Sequence, residues 1–300
     1  MDIRKLELLA DIAETGNLTG SGSRLGYTQS GVSHTIKKLE EEFGFLLLRR
    51  TNKGVALTPD ALQLLPDIRS LITRYRRMEE TLAAIKGIRK GSLVVGTYSS
   101  IAIQWLPRII PQFQDEYPSI SLQIKEGGSE DLEKWIHDGT VDFAFLSKNP
   151  YQDFDFIPLA EDEICAILPK DFPLEKSSQK TFPLSSFSDL PFIASEAGVD
   201  YDIAATLEAG KVSPHVRFYC KDDHSIIAMT AHGLGVTLLP SLIVSGYLHQ
   251  VLALPLTPSS SRTLGIGMLS RKELSAASNA FLNCTQKVLQ QEMNLLPQHL

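Results

Sequence analysis

Apolar residues recur at helical spacing from the start of the chain. Ile3, Leu6, Leu9, Ala10, Ile12 and Ala13 lie close to a 3.6-residue period, which predicts a first helix over about 2–14. Thr15-Gly16-Asn17 should stop it, and a short second helix follows from about Thr19 to Leu25. Gly26-Tyr27 reads as a tight break. Thr28 is placed as N-cap of a third helix running to Phe43, with Gly44 as its C′ residue. In that helix Val32, Ile36, Leu39 and Phe43 form one apolar stripe. On the far side Ser30, Ser33, His34 and Lys37 share an arc of about 100° at helical pitch, with Gln29 at its edge in the first turn. Two helices joined by a short glycine-containing turn, the second with a polar outer face, describe a helix-turn-helix. A plain solvated face would show the same polarity, so the face alone does not decide.

Beyond Gly44 the pattern changes. Leu47 to Thr58 reads as two short extended runs around an Asn52-Lys53-Gly54 turn, a β-wing with Arg49 and Arg50 at its base and Lys53 at its tip. Thr58-Pro59 then reads as N-cap and N1 of a long helix. Ala61, Leu64, Ile68, Leu71, Tyr75, Met78, Leu82 and Ile85 alternate at spacings of 3 and 4, the a/d seam of a coiled coil. A seam this regular predicts self-association, as a homodimer or homotetramer, through Leu64, Ile68, Leu71, Tyr75, Met78, Leu82 and Ile85; packing within one subunit is the alternative. Pro66 inside it should kink the helix or fray its first turn. A linker over Gly87–Gly91 leads to alternating strands and helices: strand 92–96, helix 101–117, strand 120–126, helix 129–138, strand 141–146. This rhythm implies parallel βαβ units. Strands at 154–161, 163–169, 192–194 and 216–219, with helices at 200–209 and 223–232, suggest a second lobe. Ser275–Met293 is a closing helix expected to return to the first lobe.

Charge alters the picture. The 300 residues carry 29 Lys and Arg against 35 Asp and Glu, a net of −6, which taken whole suggests indifference to nucleic acid. Residues 1–90 hold 15 basic and 11 acidic residues, a net of +4, and the rest is at −10. A positive segment joined to an acidic one is the asymmetry expected when one part meets a polyanion, although chance scatter can produce +4. Gln29 could read adenine N6/N7, Lys37 or His34 could reach guanine or phosphate, and the basic wing suits phosphate contacts. With 43% hydrophobic and 21% charged residues the chain is neither disordered nor collagenous. No apolar run reaches the roughly 18 residues of a membrane span, and no signal-peptide core is visible, so a cytoplasmic location is expected.

Residues 17–61, NLTGSGSRLGYTQSGVSHTIKKLEEEFGFLLLRRTNKGVALTPDA, resemble the winged helix-turn-helix of LysR-type transcriptional regulators. The matching elements are Thr19 to Leu25, Gln29, Val32-Ser33, Ile36, Leu39-Glu40, Gly44, Leu47, Arg50-Thr51 and Leu57-Thr58-Pro59. The resemblance implies double-stranded promoter DNA as partner and Thr28, Gln29, Ser30, Ser33, His34, Lys37, Arg49, Arg50, Thr51 and Lys53 as DNA-binding residues. There are departures: Ser21-Gly22 stand where Ala-Ala is usual, Ser30 for Pro, His34 for Arg, Leu48 for Phe and Ala61 for Gly. Gly22 is expected to loosen the second helix by about 0.5–1 kcal/mol relative to Ala. His34 lacks the permanent charge and fork of an Arg, which leaves base preference there open. Downstream, GSLVVGTYSS, YPSISL, GTVDFAFL and HGLGVTLLPS resemble the family's effector-binding region. That region is similar to type 2 periplasmic solute-binding proteins, with two α/β lobes around a cleft.

The resulting expectation is an α/β chain in three parts: a winged helix-turn-helix over 1–58, a linker and dimerisation helix over 59–90, and an effector domain over 91–300. Lobe I would hold about 91–161 and 267–300, and lobe II about 162–266. Ligands sit beyond strand C-termini in open α/β sheets. The candidates there are Thr97, Tyr98, Ser99, Ser100, Gly128, Ser129, Ser147, Lys148, Ser195, Glu196, Asp223 and His224. Hydroxyls at helix starts favour anions, so a small carboxylate is one candidate for the small-molecule effector, though an ordinary N-cap is the alternative for each. Cys165, Cys220 and Cys284 read as small apolar residues. His137, His224 and His232 are too dispersed for a metal site. No cofactor, metal or catalytic group is expected. The competing reading is a solute-binding or enzymatic α/β protein that its N-terminal helices merely dimerise; no nucleophile–base pair or phosphate loop supports it.

Overall fold

The computed structural model describes residues 2–51, 54–85, 91–174, 180–196 and 201–295. The chain separates into two compact units, Met1–Gly91 with His137–Thr140 and Ser92–Ile136 with Val141–Leu300.

The first unit opens with three helices, α1 (Ile3–Thr15), α2 (Leu18–Leu25) and α3 (Gln29–Phe43). Their starts are capped by Asp2, Asn17 and Thr28, whose side chains accept from Arg4 N, Gly20 N and Gly31 N. Each ends on a left-handed glycine, as the sequence predicts for Gly16 and Gly44. A two-stranded wing follows, β1 (Leu48–Thr51) antiparallel to β2 (Gly54–Leu57), with Arg50 opposite Val55. Asn52 and Lys53 of its tip lie outside the described residues. The long helix α4 (Pro59–Ile85) begins on Thr58, whose hydroxyl accepts from Ala61 N at 3.3 Å, and it runs unbroken through Pro66.

Two expectations change in this unit. First, no packing break falls at residue 58. Ala61, Leu65, Ile68 and Ile72 of α4 are buried with Leu6, Leu8, Leu9, Ile12, Val32, Ile36 and Leu39 in one core. Ile68 is therefore withdrawn from the proposed seam, and Leu64 is half-buried against the same core. At helical pitch α4 carries two adjacent stripes: one faces its own unit, while Leu71, Met78 and Leu82 remain exposed with Tyr75 beside them. Lys86 to Lys90, and with them most of the expected linker, lie outside the described residues, as does the Ile85 side chain. Second, Gly22 is a point of close approach. A Cβ there would lie 2.5 Å from Val32 Cγ2 and 3.3 Å from the Tyr27 carbonyl. Val32 is stiff at χ1 and buried, so it cannot turn aside. Gly22→Ala is thus expected to destabilise the first unit by about 1–3 kcal/mol through overpacking, despite its better helix propensity. Helical circular dichroism during urea titration would read the change.

The second unit contains β3 (Gly91–Thr97), α5 (Ser99–Gln104), α6 (Leu106–Glu116), β4 (Ile120–Glu126), α7 (Ser129–His137), β5 (Phe143–Ser147) and β6 (Asp155–Pro169). It continues with β7 (Phe182–Pro183), β8 (Pro191–Ser195), α8 (Tyr201–Ala209), β9 (His215–Cys220), α9 (Asp223–Ala231), β10 (Thr237–Pro240) and α10 (Ser241–Val244). The last elements are β11 (Val251–Thr257), β12 (Ser261–Met268) and α11 (Ala276–Leu295). The main sheet runs β4-β3-β5-β12-β6-β11-β7, with β10 also on β6. A second small sheet pairs β8 with β9 in parallel. Phe281 of the closing helix is buried in one core with Phe113, Phe143, Phe145, Leu264 and Ile266. Lobe II has two cores, on either side of β6.

The segments read as strands 154–161 and 163–169 are one strand, and this is how the lobes are joined. Asp155–Glu163 of β6 pairs with β12, and Ile164–Pro169 pairs with β10 and β11. The return crossing is at about Ser261 rather than 267, because β12 pairs along its whole length with the lobe I half of β6. The expected helix 101–117 is broken at Trp105, where Pro107 in the first turn of α6 favours a fresh start.

Candidate functional site

The outer face of α3 is built as the periodicity requires. Val32, Ile36 and Leu39 point into the core, so Thr28, Gln29, Ser30, Ser33, His34 and Lys37 are all exposed. Lys37 lies 4.0 Å from Glu41 one turn on, a contact too exposed to hold it against a phosphate. The helix is aimed by its neighbours. Arg24 of α2 donates to both carboxylate oxygens of Asp11 in α1, at 3.1 and 2.6 Å. Partial burial raises the Asp11 pKa, but its Arg24 and Ser21 hydrogen bonds hold the carboxyl below its ordinary value. Ser21, fully buried, lies 3.0 Å from the Thr15 hydroxyl and accepts from Arg24, so a serine is tolerated where the family prefers alanine.

The wing is fastened to α3 by one carboxylate whose role the sequence does not reveal. Glu40 Oε1 accepts from Leu47 N at 2.8 Å and Leu48 N at 3.3 Å. Thr58 closes the other side, donating its hydroxyl to Leu46 O at 2.7 Å. Arg49, Arg50 and Thr51 are exposed on β1. Alternation puts Arg49 and Arg50 on opposite faces of the ribbon, and Arg49 Nε donates to the Leu57 carbonyl at 3.3 Å. Lys53 lies outside the described residues.

In the second unit the predicted residues divide. Tyr98, Ser129 and Ser147 come together: the Tyr98 hydroxyl lies 2.8 Å from Ser129 Oγ and 3.3 Å from Ser147 Oγ, all buried. Burial raises the Tyr98 pKa, with these two hydrogen bonds opposing it. The phenol therefore fills the position where the sequence suggested open hydroxyls. Ser99, Ser100 and His224 line a separate cavity of about 210 Å³ together with Gln104, Leu242 and Tyr247. That volume falls below the roughly 300–1,000 Å³ usual for ligand pockets. Inside it His224 Nδ1 is 2.8 Å from the Tyr247 hydroxyl. Thr97 is fully buried and donates to the Tyr98 carbonyl, so it does not face the cleft. Gly128 is half-buried, its carbonyl accepting from Leu132 N at the start of α7. Ser195 is half-buried at the end of β8, and Glu196 is exposed beside it. Asp222, not Asp223, caps α9, accepting from Ser225 N. Lys148, the one cation the sequence offered, is exposed.

The buried cation where the two lobes join is Arg262 instead. It stands on β12 directly opposite Asp162 of β6, where the two crossing strands pair. Its Nε and Nη2 contact Asp162 Oδ2 at 3.0 and 2.9 Å. Nη2 also reaches Ser100 Oγ at 3.4 Å, Nη1 lies 3.7 Å from Asp202 Oδ2 in α8, and the guanidinium stacks 5.5 Å from the Tyr98 ring centre. The second oxygen of Asp162 accepts from Ser241 Oγ and Leu242 N at the start of α10. Arg262 and Asp162 are both about 5% exposed, so this is a buried charge cluster with both lobes contributing.

Other chemistry is sparse. Burial, helped by the Glu163 and Asp162 carboxylates, pushes the Cys165 thiol up to about 12, so its thiolate is negligible at neutral pH. Burial likewise raises Cys284. Among the described residues no group of three or more His, Cys, Asp or Glu could hold a metal ion, and no helix is long and apolar enough to cross a membrane.

A winged helix-turn-helix joined to a two-lobed α/β unit, with a buried charge cluster where the lobes meet, defines a ligand-responsive DNA-binding regulator. The family described as bacterial regulatory helix-turn-helix protein, lysR family, matches residues 3–62, and the LysR substrate binding domain matches residues 86–290. The chain belongs to the LysR family of transcriptional regulators. It is 28% identical over 291 residues to the uncharacterized HTH-type transcriptional regulator YvbU of Bacillus subtilis, covering 96% of this chain and 99% of that one. A full-length OxyR variant from Pseudomonas aeruginosa superposes with TM-score 0.73 at 22% identity, covering 97% of this chain and 95% of that one. Full-length CbnR complexed with its target DNA gives 0.65 at 16%, covering 96% and 100%. At these identities the superpositions establish the fold. The homologous domains are those of a transcription factor and not of an enzyme, which removes the competing reading.

Proposed function

We propose that Thr28, Gln29, Ser30, Ser33, His34 and Lys37 of α3 read base edges in the major groove while Arg49, Arg50, Thr51 and Lys53 of the wing hold phosphates. The observation that carries this is the exposure of the whole polar face of α3 above a buried apolar stripe, beside a basic wing. CbnR, of similar fold, was crystallised with its target DNA, which supports the same use here. One helix-turn-helix reads only a few base pairs, so two copies joined through Leu71, Tyr75, Met78 and Leu82 read two half-sites. The cleft of the second unit binds a small-molecule effector, and the buried Arg262 selects a small carboxylate. The ligand acts by preferring one arrangement of the protein over another. Such a regulator works in the cytoplasm.

Selection of binding sites from a random duplex pool by the full-length chain tests the DNA reading. Enrichment of a two-fold related pair of short half-sites is expected. A pool that stays unenriched, while the protein remains folded, overturns it.

A further inference from the structure

We infer that Asp202 is a built-in counter-ion that occupies Arg262 in the unliganded protein, and that an effector's carboxylate takes its place. The inference rests on the reading of the cleft as a carboxylate site and adds how the site is regulated. The two carboxylates around Arg262 are not equivalent. Asp162 is committed: one oxygen takes two guanidinium contacts at 2.9 and 3.0 Å, and the other takes the Ser241 hydroxyl and the Leu242 amide. Its register opposite Arg262 is fixed by the paired strands. Asp202 meets the guanidinium at 3.7 Å, an ion pair beyond hydrogen-bond length. It stands in the first turn of α8, where the helix N-terminus favours a carboxylate even without an arginine. The Asp202 contact is therefore the weaker of the two and the one that can be exchanged.

Exchange is favoured over addition. Asp162, Asp202 and Arg262 together carry one net negative charge in a buried cluster. A further carboxylate beside them would meet two others across a few ångströms of poorly screened space, where like charges repel strongly. If Asp202 leaves, the cluster keeps its charge and the newcomer inherits the outer edge of the guanidinium, with Ser100 Oγ already in reach of Nη2. Departure of Asp202 also has a mechanical result. α8 belongs to lobe II, and β12 is paired with β5 of lobe I. The exchange cuts an ion pair between α8 and the strand that crosses between lobes, so ligand binding releases α8 from β12.

Chemical rescue with acetate tests this on the full-length chain. In Asp202→Ala Nη1 of Arg262 loses the carboxylate 3.7 Å away, and acetate should take that carboxylate's place. Melting temperature measured against sodium acetate, at ionic strength held constant with sodium chloride, should rise saturably in the variant. Its apparent Kd should be at least about 10-fold lower than in the wild type, where Asp202 competes at high effective concentration. Acetamide, of the same shape and uncharged, should give no rise. Asp202→Ser, which withdraws the charge and still leaves room for acetate, provides the same comparison if the alanine variant does not fold. Equal acetate responses in wild type and variants, or none in any, overturn the exchange. That failure is separate from failure of the cleft reading: a carboxylate that still stabilised the wild type would leave the site standing and remove only the role of Asp202.

Discussion

Arg262→Met lowers the stability of the second unit by about 3–5 kcal/mol, the usual loss when one partner of a buried ion pair is removed. The reason is what stays behind. Asp162 is buried, and its Oδ2 loses both of its guanidinium contacts at once. Asp202 loses the guanidinium 3.7 Å from its carboxylate, and the Tyr98 ring loses the cation over its face. Methionine fills much of the volume but supplies no donor. Asp162→Asn in the same chain should recover part of the loss, on the order of 1–2 kcal/mol, because it withdraws the uncompensated charge and keeps an acceptor for Ser241 and Leu242. Both tryptophans, Trp105 and Trp135, lie in this unit, so their fluorescence during urea titration follows it without interference from the DNA-reading unit. A single variant no less stable than the wild type would show that the cluster is not the buried ionic joint described above.

On the proposed reading of α3, Gln29→Ala removes a bidentate base contact in each subunit. One such contact discriminates against the wrong base by about 1–3 kcal/mol, so a dimer on two half-sites should lose roughly twice that on its selected duplex. The same variant should bind a scrambled duplex as the wild type does, since no phosphate contact is touched. Arg50→Ala behaves in the opposite way. It weakens binding to every sequence and reduces the slope of log affinity against log salt by about 1 per subunit, one counterion fewer being released. Fluorescence anisotropy at two salt concentrations separates the two signatures.

Local chemistry made the first unit legible. Caps, stop glycines and the 3.6-residue stripe set α1 to α3 within a residue or so, and the Asn-Lys-Gly turn set the wing. The errors there concern packing between elements. That Gly22 sits against Val32, or that Ile68 turns into its own core while Leu71 stays out, depends on neighbours distant in sequence. The cleft was harder for the same reason. Arg262 meets Asp162 across 100 residues, and only the pairing of β6 with β12 brings them together. β12 itself starts in a serine run and carries Gly265 and Gly267, which conceal its strand character. The serines at strand ends were readable, and three of the polar groups do converge, but Tyr98 takes up two of the hydroxyls.

The central claim is that the polar face of α3 reads sequence. The ratio of affinities for the selected and scrambled duplexes, measured for wild type and Gln29→Ala side by side, tests it most directly. The ratio should fall by at least about 10-fold in the variant, with the scrambled affinity unchanged. An unchanged ratio, or equal losses on both duplexes, would contradict it.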